Sequence, residues 1–328
     1  MIMPKIEVRL LTEIDYNQWD LLVERSEHGT IFHSSKWITT AAKNFHTDYA
    51  IIGAFDNSNL IGGCSFYIKD LFHFLRVGYT NAPLTPYGGF VLSIPTQKYT
   101  RASEQEANEI VSEILKKIQS FDLSYVNLIN SPALTDIRPF KLQGWRERVY
   151  YTYILPLDGD IFSSFSRNVR RNIQKAQKIG ITAKKDFNPD IFWKLSILTY
   201  AKQKMKIPFR KEYLFNFMEM LLQNNLGEMW VAETPSGDAI SALFILFDAH
   251  MSHGWVSASD PAFNSTGAYS LLLYEVFKDL QNRGFKRYNL MAANTPHLSK
   301  FYSGFNPQLT PYYGVERIKG IGKIITRL

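Results

Sequence analysis

One order of elements occurs twice along the 328 residues, and this repetition limits the fold more than any single motif does. In the first copy YAIIGAF (49–55) and LIGGCSFYI (60–68) are apolar runs separated by Asp56-Asn57-Ser58-Asn59, which predicts a β-hairpin. A third strand-like stretch (71–79) and a Pro- and Gly-containing loop (81–100) follow. A helix is then predicted from Ser103, because Ala107, Ile110, Val111, Ile114, Leu115 and Ile118 fall at i, i+3, i+4 spacing; SYVNLIN (124–130) reads as the next strand. The second copy keeps this order. EMWVAET (228–234) and AISALFILF (239–247) flank the turn Pro235-Ser236-Gly237-Asp238, and HMSHGWVSAS (250–259) is the third strand. A helix from about Gly267 to Arg283 ends at Gly284, and KRYNLM (286–291) closes the set. The expected class is α/β (α+β): two domains, 1–150 and 151–328, each a mixed sheet flanked by helices. The alternative is that two ordinary α/β stretches resemble one another by chance.

Between the copies the chain becomes strongly basic. Nine lysines and four arginines stand against three aspartates from Asp160 to Lys211, a net +10, so the remainder of a chain totalling +7 is net negative. Within this stretch 162–179 reads as a basic helix, and 189–223 as helical with a break at Ile207-Pro208. Arg167, Arg170, Arg171, Gln174 and Lys178 are three or four apart and share a face, with no acid among them. Such a face suits phosphate or another anion, such as RNA or an acidic membrane surface; the plainer reading is a solvated helix face.

Other classes are disfavoured. The start, MIMPKIEVRLL, reads as a first strand and not as a signal peptide, and the longest apolar run, Ala242–Phe247, is far shorter than a membrane span. With Cys64 the only cysteine, no disulfide can form within the chain. The seven histidines are scattered, and His250 and His253 on one strand would face opposite ways, so no metal is expected. The chain is read as cytoplasmic, with peripheral membrane contact as an option.

The segment Ser166-Arg167-Asn168-Val169-Arg170-Arg171-Asn172-Ile173-Gln174-Lys175-Ala176-Gln177-Lys178-Ile179-Gly180 lies between the strands TYILPL (152–157) and ITAKKDF. It resembles the signature of Fem-type aminoacyltransferases and their acyltransferase relatives. HSSKWITTA (33–41) is similar to that family's Ser-x-x-Trp helix opening, shortened by one. NLMAANTPHLSKFYSGFNPQLTPYYG (289–314) is similar to its closing strand, short helix and Phe-Gly element. The resemblance implies two GNAT-like halves and transfer of an acyl or aminoacyl group to an amine, such as one on a cell-envelope precursor of peptidoglycan synthesis. It implies acyl-CoA or aminoacyl-tRNA as co-substrate, and no permanently bound cofactor. Two departures count against the tRNA-dependent form: Phe301-Tyr302 and Phe305-Asn306 stand where the cross-bridge enzymes carry Phe-Lys and Phe-Gly, and no long helical hairpin is inserted. The competing class is a non-catalytic double-GNAT module that binds an anionic glycan or RNA.

In a GNAT core the donor lies where neighbouring strands part, with its phosphates on the next helix N-terminus. The first copy's helix opens Ser103-Glu104-Gln105-Glu106, where acids would repel phosphate. The second opens Asn264-Ser265-Thr266-Gly267-Ala268, with no acid before Glu275. Donor binding is therefore expected at Asn264, Thr266, Gly267 and Ala268, and the acceptor on the side of the first domain; as plain structure, the same residues are a turn and a cap. Direct aminolysis of an ester or thioester needs no protein nucleophile, but it needs an acid for the leaving group. Tyr302, on the short helix after the last strand, is the candidate, with Lys300 as a substitute. The alternatives are a core aromatic and a solvated lysine. Arg167, Arg170, Arg171, Arg210 and Tyr213 are the candidates for holding the acceptor or its phosphates.

Overall fold

The computed structural model describes residues 6–71, 75–94 and 100–319. Residues 1–5 of the expected first strand, 72–74 of the expected third and 95–99 of the expected loop lie outside them. The chain divides into two compact units: residues 1–150 with 311–328, and 151–310.

The first unit opens with β1 (Glu7–Leu10), α1 (Tyr16–Arg25), α2 (Ser35–Phe45), β2 (Asp48–Asp56), β3 (Asn59–Leu71) and β4 (Leu75–Tyr79). β5 (Gly89–Leu92), α3 (Arg101–Gln119), β6 (Tyr125–Ile129) and α4 (Arg138–Leu142) follow. The β2–β3 hairpin forms as expected, with Asp56 opposite Asn59 and Asn57 at φ 54°, a left-handed position that Asn tolerates. β5 lies within the expected loop: Gly89–Leu92 is a fully buried strand on β3, and four residues are too short a run to show a period. The helix begins two residues before Ser103. Thr100 is its N-cap and Ser103 the third residue of a reciprocal capping box. Its six apolar positions are all buried against the sheet, at about 1.5–3 kcal/mol per large side chain before entropic costs. Gly63 admits Trp19 onto the sheet, since a Cβ there would lie 2.5 Å from the indole.

β7 (Arg146–Pro156) carries the chain into the second unit, followed by α5 (Ile161–Ser164), α6 (Arg167–Lys178), β8 (Thr182–Lys185), α7 (Pro189–Lys202) and α8 (Lys211–Gln223). Next come β9 (Gly227–Glu233), β10 (Ala239–Phe247), β11 (Ser252–Ser259), α9 (Ala268–Asn282), β12 (Arg287–Asn289) and α10 (Pro296–Tyr302); β13 (Gln308–Ile318) returns to the first unit. The expected basic helix 162–179 is two helices. Phe165 is the C-cap of the first and Ser166 the N-cap of the second, its hydroxyl accepting from the Val169 amide. Val169, Ile173 and Ala176 form the buried stripe of α6.

Strand order exposes the repeat. The first unit runs β1-β2-β3-β4-β6-β13 and the second β8-β9-β10-β11-β12-β7; the fourth and fifth strands are parallel in each and all other neighbours within each run are antiparallel where their register is given. The closing strands are exchanged relative to sequence order. β13 pairs with β6, from Gly314 opposite Ile129 to Ile318 opposite Tyr125, which puts residues from 311 onward in the first unit and not in the second, where 151–328 was expected. Val315 completes the first core, and Glu316 takes Arg148 at 2.9 Å.

In the first unit His28 is fully buried; its Nδ1 accepts from the Leu92 amide, and burial pushes the ring down to about 4. The folded state thus prefers the neutral ring, and this preference favours folding above the unfolded value near 6.5 and fades as pH falls from there to about 4. Denaturant titrations should show about 3 kcal/mol of stability lost over that window, and less in His28→Gln. An unchanged pH profile in the variant would count against the assignment.

Candidate active site

The site is set by two strands that stay together briefly. β11 and β12 pair in parallel only at Ser252–Tyr288 and His253–Asn289. Beyond these β11 continues to Ser259, whereas the chain after β12 turns away through Met291, at φ 59°. The buried Asn289 side chain fixes the turn: its Oδ1 accepts from the Thr152 hydroxyl at 2.5 Å and from the Met291 amide at 3.0 Å. On the other strand the buried His253 Nε2 lies 2.6 Å from Asp248 Oδ2. Burial works to raise the Asp248 carboxyl, but His253 and the His250 and Met251 amides outweigh it and hold it below the usual carboxylate range. Just past the last pair, Trp255 is an extra residue against β10, which pairs Phe244 with Val256 and Ile245 with Gly254.

A cavity of about 800 Å³ is built from the far end of β11, the first turn of α9, the last turn of α7 and α10. Asn264, Gly267, Ala268 and Tyr302 all line it, so four of the expected residues meet in one place. Gly267 is the N-cap of α9 at φ 85° and offers no capping side chain, and no acid lies in the first turn. The helix end therefore presents its dipole and the Tyr269 and Ser270 amides with no acid in its own first turn; Asp260 also lines the cavity, its Oδ1 accepting from the Ala262 amide at 2.9 Å. The reason for glycine is packing as well as conformation: a Cβ at Gly267 would sit 2.2 Å from the Asn172 carbonyl oxygen of α6. Thr266 is not in the lining; its hydroxyl accepts from the Ala268 amide at 3.2 Å and donates to Phe263 O at 2.6 Å.

Tyr302 is 7% exposed, and its phenol shares a 2.8 Å hydrogen bond with that of Tyr269. Burial, with Tyr269 as neighbour, pushes the Tyr302 phenol well above its ordinary value, so it keeps its proton at neutral pH. Ser257 joins the two tyrosines on the cavity wall. Lys300 is exposed and outside the lining. Arg167 and Arg171 are exposed on α6, while Arg170 donates to Ser163 O across the break between α5 and α6; the α6 residue in the cavity is Asn172. Arg210 is exposed before α8, and Tyr213 is 3% exposed with its ring 4.9 Å from that of Phe217, which makes it a core residue.

Tyr269, Ser257 and Lys202 line the cavity without having been singled out from sequence. Tyr269 stands two residues beyond Gly267 and could have been found from the helix opening. Ser257 and Lys202 approach only through the fold, and nothing local marks them.

The first unit differs at the corresponding place. β4 and β6 pair through Val77–Tyr125, Gly78–Val126 and Tyr79–Asn127. The Thr80 hydroxyl then accepts from the Ile129 amide at 2.7 Å and donates to its carbonyl at 3.1 Å. The strands are stitched together where β11 and β12 part. Glu104, expected to repel phosphate at α3, is ion-paired with Arg138 at 2.7 Å, and Glu106 lies beyond the first turn. The contrast between the helix ends thus rests on a closed cap box against an open glycine cap.

Residues 163–298 match the family described as acetyltransferase (GNAT) domain. No curated protein matches the chain. Among solved structures, FemX aligns with a TM-score of 0.75 at 13% identity, covering 98% of this chain and 99% of that one. A tandem GNAT protein from the clavulanic acid biosynthesis pathway aligns at 0.58 and 9% identity, covering 96% and 99%. The C-terminal domain of a putative lysylphosphatidylglycerol synthetase from Agrobacterium fabrum gives 0.58 and 11%, covering 96% of this chain and 95% of that one. The match to the acetyltransferase (GNAT) domain thus falls within the second unit. The chain as a whole shares the fold of FemX and of the tandem GNAT protein.

Gly267→Ala should destabilise the protein by more than about 2 kcal/mol in denaturant unfolding, since the new Cβ meets backbone and the residue is held at positive φ. Asn264→Asp, at an exposed position on the cavity rim, should stay within about 0.5 kcal/mol of the parent. Equal stabilities for parent and Gly267→Ala would mean that α6 and α9 do not meet this closely.

Proposed function

We propose that the protein is an N-acyltransferase that moves an acyl group from an acyl-CoA donor to an amine, with the donor held by the second unit. What carries this reading is one cavity that brings together the end of β11, an α9 opening free of acidic side chains, and a buried tyrosine. The diphosphate of a CoA donor would lie at the Gly267–Ser270 turn, where the helix dipole favours anions. Its thioester would reach toward the gap between β11 and β12, beside Tyr302.

The amine nitrogen attacks the thioester carbonyl carbon. A C–N bond forms, the C–S bond breaks, the nitrogen loses a proton to water and the departing sulfur gains one. Tyr302 suits the last role because burial keeps it protonated, and Tyr269 can donate to the phenolate left behind. The acyl-CoA form is preferred to the aminoacyl-tRNA form because Phe301-Tyr302 replaces the lysine pattern of the cross-bridge enzymes. The exposed Arg167 and Arg171 favour an anionic amine acceptor, a class that includes nucleotide-linked cell-envelope precursors. A purely non-catalytic binding role draws no support from a buried, polar-paired tyrosine on a cavity wall.

Thiol release from acetyl-CoA and longer acyl-CoAs should be measured against a panel of amines that includes such precursors, with charged tRNA as the competing donor. We expect thiol release only with an amine present. Tyr302→Phe should lower kcat by about 10²–10⁴-fold with little change in KM for the donor. Asn264→Asp should instead raise the donor KM through repulsion of phosphate. Transfer from charged tRNA but from no acyl-CoA would replace this reading with the tRNA-dependent one.

A further inference from the structure

Behind the Tyr269–Tyr302 pair lies a second cavity of about 140 Å³, inside the gap between β11 and β12. Tyr269, Tyr302, Ser257 and Leu298 belong to the walls of both cavities, so the tyrosine pair stands where the two meet. The inner walls are mostly apolar, with Leu243, Leu273, Leu290, Met291 and Ala292 among them. A cavity of about 150 Å³ is known to hold benzene, so this one suits roughly four to six heavy atoms.

Apart from Ser257 and the tyrosine pair shared with the outer cavity, Tyr288 brings a further hydroxyl to this lining. Tyr288 is 0% exposed, and its hydroxyl has no hydrogen-bond partner among the described residues. The hydroxyl lies over Gly254, the first residue of β11 past the last strand pair; a Cβ at 254 would come within 2.6 Å of it. Buried hydroxyls are nearly always paired, and one left unpaired beside an open cavity points to a ligand atom. The lining carries no carboxylate, so an ammonium group there would be buried without a counter-charge. A neutral group therefore suits this position, and a hydroxyl or keto oxygen can pair with the phenol.

We propose that this inner cavity holds the acyl group, and that Tyr288 selects a short acyl chain bearing a hydroxyl or keto oxygen. The inference rests on the acyl-CoA reading above and goes further by naming the acyl class. Tyr288 acts here as a specificity residue, with no part in bond making. A plain chain fills the volume but leaves the phenol unpaired, and sites that pair a substrate hydroxyl discriminate strongly against analogues lacking it.

The test is calorimetric titration of the whole protein with free CoA, butyryl-CoA and 3-hydroxybutyryl-CoA, which needs no acceptor. The parent should bind the hydroxylated donor at least about tenfold more tightly than butyryl-CoA. Tyr288→Phe should bind both alike while keeping the parent Tm, since the hydroxyl it removes has no protein partner. Ala292→Leu, which fills the cavity, should weaken both acyl donors and leave free CoA unchanged. Equal binding of the two donors by the parent overturns the inference and spares the acyl-CoA reading, as does an Ala292→Leu variant that binds both acyl donors like the parent. Failure of free CoA and both donors to bind overturns the reading and the inference with it.

Discussion

The parting of β11 and β12 after two residue pairs is the constraint on which the rest of the second unit depends. A parallel pair that stops this soon leaves strand edges and the space between them unfilled, which is costly inside a packed core unless the site uses it. The chain accepts the cost through a few buried polar groups. Asn289 ties the turn after β12 to Thr152 and to the Met291 amide, and His253 anchors the root of β11 to Asp248. These bonds sit at low exposure, where a polar group without a partner would be expensive, so the geometry they hold is firmly specified.

The same low dielectric shapes the chemistry. Tyr302 is drawn into an aromatic neighbourhood of Tyr269, Phe301 and Phe305, which raises the cost of its charged form and keeps the phenol neutral. A neutral phenol bonded to a second neutral phenol can release a proton and be resupplied without an exposed charge in the cavity. Close packing and the proposed role in proton transfer therefore place the same demand on this residue. Gly267 shows a similar overlap, since it lets α6 approach α9 and also leaves the helix end open.

The two units share strand order yet diverge at the matching gap. In the first, three residue pairs and the Thr80 side chain close the space, and a capping box closes the helix end. The same strand order thus carries an open gap in one unit and a closed one in the other.

Much of this was written locally. The hairpins, the amphipathic stripe of α3, the break at Pro208 and the end of α9 near Gly284 follow from side-chain period and from the backbone preferences of Gly, Pro and Asn, all of which act over a few residues. The Asn264–Ala268 opening and Tyr302 were likewise visible, one as an acid-free helix start and the other by its place after the last strand. The rest needed the fold. β5 was too short to show a period, the capping of α3 by Thr100 depended on where the helix began, and Tyr213 proved to be core although its sequence setting suited a ligand site. β13 joined β6 because strand partners are chosen by hydrogen-bond edges and buried faces far apart in the chain, so the sequence divided the chain at 150 but could not assign its end. Sequence by itself determined which segments are helix or strand and which helix opening lacks acids, because those properties are settled within one or two turns of chain. Only the tertiary structure decided that Ser257, Tyr269, Tyr288 and Tyr302 converge on one gap, because that convergence depends on where two strands, once paired, stop pairing.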